Sequence, residues 1–113
     1  LEVGRTGIAT VQALSLGRRA KTVSITTGSR AKYYPGHSVM AVRLVFEPVT
    51  GKLLGGQIAG GEGVAKRIDT LATALHAGMS VDDISRLDLS YAPPFAPVWD
   101  PIIVAAGVAL KEL

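Results

Sequence analysis

Two stretches of the chain alternate loosely between β-branched residues and polar or small ones: AKTVSITT at 20–27 and SVMAVRLVF at 38–46. A two-residue period is that of a half-buried strand, and both are predicted to be sheet members. The second runs into EPVTGK, a turn-forming cluster with Pro48 and Gly51, and then into the apolar LLGGQIAG. Two apolar runs joined so briefly predict a hairpin over Ser38–Gly60, and therefore antiparallel pairing. The period then changes. In VAKRIDTLATALHAG, Val64, Ile68, Leu71, Ala72 and Leu75 fall at i, i+4, i+7, i+8 and i+11, one face of a helix that Gly78 should stop.

Shorter helices are marked by their ends. Ser80 precedes Asp83 by three residues in SVDDIS, a capping-box start with Val81 and Ile84 available for a core. Asp100 can cap a last helix, and Pro101 suits a first turn, where its missing N–H leaves no bond unmade. Ile103, Ala106, Gly107 and Leu110 would give that helix a small-residue face able to approach another surface closely. IATVQALSLG predicts one more short helix, closed by Gly17. The sum is α+β: an antiparallel sheet with helices packed on one face.

Between the last two helices lies YAPPFAPVWDP, residues 91–101, where eleven positions hold three of the six aromatic residues and four of the six prolines. Proline has no N–H and a fixed φ, so the segment is expected to be a stiff, extended loop displaying large side chains.

Composition narrows the classes. At 113 residues, 48% of them apolar, the chain suits a single domain, 1–113, with a core of its own. No apolar run approaches the roughly 20 residues that cross a bilayer, so no membrane role is expected. The opening LEVGRTG has neither initiator Met nor an apolar signal core, and reads as part of a longer chain. Without cysteine there is no disulfide, thiolate metal site or thiol nucleophile here. The net charge of +3 is mild, but Arg18, Arg19, Lys21, Arg30 and Lys32 fall close together in sequence. The plain reading is a solvated edge, and the sharper one an independent module binding an anionic ligand through residues 18–32. Nucleic acid is not expected, because no aromatics interleave with these cations.

Candidate chemistry is sparse. GGQIAGGEG has neither the G-x-G-x-x-G spacing nor the Lys-Ser/Thr of a phosphate loop, so its glycines read as packing devices. His37 and His76 stand in no ligand spacing; no metal is expected, and both are read as exposed. No nucleophile elbow occurs, which leaves a free-standing hydrolase with little support. Tyrosines remain, Tyr33 and Tyr34 in AKYYPG and Tyr91 in YAPP. Each is equally at home in a core or at an interface by chemistry, but all three lie in proline-containing loops, which favours an interface or site.

AKYYPG, VFEPVTGKLLGGQIAGGEGVAKRIDTLATALHAGMSVDDI and SYAPPFAPVWDPIIVAAG together resemble the C-terminal dimerisation domain of FAD-dependent pyridine nucleotide-disulfide oxidoreductases. Within that superfamily they are most similar to coenzyme A-disulfide reductases and their NADH oxidase and persulfide reductase relatives. The resemblance implies a cytoplasmic homodimeric flavoenzyme whose FAD and NAD(P)H are held by upstream domains, none by these residues, and whose substrate is a coenzyme A-type thiol. Where two-cysteine members end in a His–Glu pair, this chain has YAPPFAPVWDP. That departure implies the branch with one cysteine in the FAD domain, to which reduced flavin returns electrons.

By motif, Tyr33 and Tyr91 would reach the partner subunit's cysteine. Tyr34, Phe95 and Trp99 would serve the interface, with Phe95 and Trp99 anchoring the loop. Lys66 and Arg67 of KRID would contact the interface or coenzyme A phosphates, or else form a structural salt bridge. Ala9 stands where relatives place a capping Thr, at a typical cost of about 1 kcal/mol unless another group substitutes.

Overall fold

The computed structural model describes all 113 residues. Strands β1 (Glu2–Gly7), β2 (Lys21–Gly28), β3 (Val39–Phe46) and β4 (Leu53–Gly60) form one antiparallel sheet in the order β1-β4-β3-β2. Helices are α1 (Thr10–Ser15), α2 (Val64–His76), α3 (Val81–Ser85) and α4 (Pro101–Leu110). The expected α+β class and the β3–β4 hairpin are both present. No helix is long and apolar enough to cross a membrane.

Alternation along β3 divides the sheet. Met40, Val42, Leu44 and Phe46 are buried, whereas Val39, Ala41 and Arg43 are exposed. Pairing carries the division sideways, setting Ile58 beside Val42, and Val23 and Gly56 beside Leu44. On the buried face α2 lies across β1 and β4, α4 across β2 and β3, and α3 against α4. Leu71 and Ala74 of α2, Val81 and Ile84 of α3, and Ile102, Ala105, Ala106 and Ala109 of α4 complete one core with the sheet. Close approach of α2 depends on Gly56, where a Cβ would stand 2.6 Å from Leu71 Cδ1. The short α1 is the exception to the one-sided arrangement. Its Thr10 hydroxyl meets that of Thr22, which by strand alternation faces away from core residue Val23.

The ends follow their capping residues. Ser80 Oγ accepts from Asp83 N at 3.1 Å and Asp83 Oδ2 from Ser80 N at 2.9 Å, while Asp100 Oδ1 accepts from Ile102 N at 3.0 Å. Ala9 offers the first turn of α1 no side-chain acceptor, and only the reciprocal half of a capping box forms, with Gln12 Oε1 accepting the Ala9 N–H at 2.9 Å. In the hairpin turn Glu47 Oε2 accepts from Val49 N, Thr50 N and Thr50 Oγ1.

Three details differ from the pattern reading. Residues 2–7 form edge strand β1, hidden from periodicity by Gly4, Gly7 and the polar Glu2, Arg5 and Thr6. The core face of α2 is Val64, Arg67, Leu71 and Ala74, turned so that Ile68, Ala72 and Leu75 are only half-buried. In α4 the core takes Ile102, Ala105, Ala106 and Ala109, so of the predicted small-residue face only Ala106 is enclosed; Ile103, Gly107 and Leu110 flank it half-buried.

Candidate functional site

Tyr33 and Tyr91 are 58 residues apart in sequence, and the fold brings their hydroxyls to 3.4 Å. Each is carried by a braced loop. The 29–38 segment is closed at its base by Ser29 and Ser38: Ser29 N donates to the Ser38 carbonyl at 2.9 Å, and the two hydroxyls stand 3.2 Å apart. Within it Tyr34 N donates to the Ala31 carbonyl, and Tyr34 is half-buried. The expected extended form of 91–101 is not observed. Instead the Ala92 carbonyl accepts from both Phe95 N and Ala96 N at 2.9 Å, folding 92–96 into a tight turn. Pro93 and Pro94 fit there because first-turn positions require no N–H.

Phe95 and Trp99 do not anchor this loop in the chain's own core, since they are 67% and 71% exposed. What holds it is small and polar: Ala96 is fully buried, and buried Asp100 meets Arg67. Arg67 is 1% exposed and every one of its nitrogens has a partner. Its Nε lies 3.2 Å from both Asp100 oxygens, Nη1 donates to the Gly63 carbonyl at 3.0 Å, and Nη2 to the Ser29 carbonyl at 2.9 Å. Arg67 is therefore a structural brace, and the expectation that it could contact coenzyme A phosphates is corrected. A lone buried guanidinium would be far too costly, which is why the structural half of the earlier alternative prevails. Lys66, its neighbour, is exposed beside a cavity of about 240 Å³ bordered by Thr70 and Ser90. Desolvation, then the like charge of Arg67, holds its ammonium below the usual lysine range.

The tyrosine pair is open to the outside, Tyr33 at 75% and Tyr91 at 49% exposure. A separation of 3.4 Å is long for two hydroxyls, so each keeps capacity for a third group. The hydrogen bond to Tyr91, followed by desolvation, raises the Tyr33 pKa. Both effects favour the protonated, donating form of Tyr33.

The basic residues at 18–32 are not brought together. Arg18, Arg19 and Lys21 lie at one end of β2 and Arg30 and Lys32 beyond the other, separated by the strand's length of about 23 Å. Arg19 pairs with Glu47, Arg30 with Glu62, and Lys21 donates to the Glu112 carbonyl. One anion pocket built from this stretch is excluded by that geometry. His76 is exposed as expected. His37 is half-buried over Gly28, with Nε2 enclosed and without a partner. The glycine-rich passage into α2 is unsuited to a dinucleotide pyrophosphate: the Val64 N–H is taken by the Glu2 carboxylate at 3.2 Å, and Gly63, at φ 105°, turns its carbonyl to Arg67.

Residues 1–101 match the family described as pyridine nucleotide-disulphide oxidoreductase, dimerisation domain. The chain belongs to that family. The dimerisation domain is 44% identical over 108 residues, 96% of its length, to an NAD(P)H coenzyme A polysulfide/persulfide reductase of Pyrococcus horikoshii, of which it covers 24%. To a coenzyme A disulfide reductase of Staphylococcus aureus it is 37% identical over 82 residues, 73% of the domain and 19% of that protein. The solved NAD-dependent persulfide reductase from A. fulgidus superposes with a TM-score of 0.92 at 39% identity, over 97% of the domain and 20% of that chain. The domain thus spans a quarter or less of the relatives it matches.

Proposed function

We propose that this dimerisation domain serves a homodimeric flavoenzyme that reduces disulfides or persulfides of coenzyme A-type thiols through a single cysteine, and that it supplies Tyr33 and Tyr91 to the partner subunit's active site. The observation that carries the reading is the convergence of two exposed phenols from separate loops. The relatives named for coenzyme A disulfide and persulfide chemistry support the substrate class. FAD and NAD(P)H would be bound outside these residues and supply the electrons. The chain's own part is acid chemistry and positioning: a phenol hydrogen-bonds to a sulfur as its S–S bond breaks, or gives that thiolate a proton. Tyr34, Phe95 and Trp99 would pack on the partner, and Lys66 would meet a phosphate of the substrate.

Tyr91→Phe in the full-length enzyme is expected to slow turnover by about 10- to 100-fold, less than the roughly 100- to 10,000-fold typical of a general acid because Tyr33 remains. The dimer should persist, and one phenol should ionise at lower pH in an ultraviolet titration, since the hydrogen bond raising Tyr33 is gone. Unchanged turnover would reduce Tyr91 to a packing residue.

A further inference from the structure

The helices α2–α4 cover only one face of the sheet, and α1 sits at one end of the other. The rest of that second face is a built surface. Register aligns Arg5, Gln57, Arg43 and Ser24 in a single row across all four strands. The next row is Val3, Ala59, Ala41 and Thr26. Because the two central strands carry alanine where the outer ones carry valine and threonine, the middle of this second row is a trough. A cavity of about 260 Å³ lies there, bordered by Val3, Thr26, Ala41, Ala59, Arg43 and Gln57.

Charge says what fits. Arg5 and Arg43 take part in none of the chain's ion pairs, in contrast to Arg19, Arg30, Arg67 and Arg86. Both are exposed, and Arg43 is held in place by donating from Nε to Ser24 Oγ at 3.1 Å. They stand two strands apart, about 10 Å, with Gln57 between them. A second copy docked here would set arginine against arginine. We propose that this face is a docking site for an acidic protein segment that seats one large apolar side chain in the Ala41–Ala59 trough and gives carboxylates to Arg5 and Arg43. Guanidinium–carboxylate pairs at the rim of an apolar socket are the arrangement that combines anchoring with orientation. None of these residues belongs to the tyrosine site, so the two readings stand or fall separately.

The test titrates the 113-residue chain with an acetylated pentapeptide alternating glutamate and leucine, followed by amide and arginine Nε–H NMR signals. Saturable shifts centred on Arg5, Ala41, Arg43, Gln57 and Ala59 are expected. The glutamine–leucine counterpart should bind at least tenfold more weakly, and Arg43→Gln or Arg5→Gln should each weaken the acidic peptide about fivefold while the sheet's amide spectrum stays intact. Equal binding of both peptides, shifts centred instead on Arg18, Arg19 or Lys32, or self-association through this face without peptide would each overturn the proposal.

Discussion

Arg67 shows how far one side chain can determine a site that it never touches. Its guanidinium binds Ser29, which begins the segment leading to Tyr33, and Asp100, which ends the loop carrying Tyr91. Removing one partner of a buried ion pair leaves an uncompensated charge at a cost of about 3–5 kcal/mol. Asp100→Ala also deletes the α4 cap. This variant is expected to lose at least that range in denaturant unfolding, and a loss below 1 kcal/mol would show that water replaces the carboxylate. Periodicity could not reveal this brace, because an arginine at 67 reads as solvent-facing until its partners at 29, 63 and 100 are known. The opposite holds for Ser80, Asp83 and Asp100, whose roles depend on neighbours within three residues and were legible at once.

Elements obey the same division between local and distant causes. The β3–β4 hairpin, α2 and both caps follow from short-range pattern, whereas β1 needs β4 to make it a strand. The turn joining β3 to β4 and the start of α3 also share a pH response. Hydrogen bonds from Thr50 hold the Glu47 carboxyl below the usual glutamate range, and those from Ser80 hold Asp83 below the usual aspartate range. Folding therefore favours their ionised forms. In acid the unfolded chain takes up protons first, so stability is full above about pH 4.5 and declines as pH falls through the lowered folded values. Thermal midpoints should drop between pH 5 and pH 3, and Glu47→Gln with Asp83→Asn should flatten that drop. Parallel curves for the variant and the original chain would assign the acid response to other groups.

At the scale of the whole molecule, apolar side chains stay exposed where a subunit contact is proposed. Phe95, Val98 and Trp99 are all more than 60% exposed on one short loop, an arrangement that suits an interface better than a free surface. The domain is expected to self-associate through this end, and Phe95→Asp with Trp99→Asp should move the sedimentation mass toward the monomer without lowering the unfolding midpoint. An unchanged mass would place the subunit contact elsewhere. The sequence resemblance supplied the pairing of Tyr33 with Tyr91, and composition alone marked only the second of their loops as unusual.

Because both tyrosine loops are tied to one guanidinium, their positions are not independent. Replacing Arg67, which touches neither phenol, would release a tie common to both loops and with it the 3.4 Å spacing of the two hydroxyls.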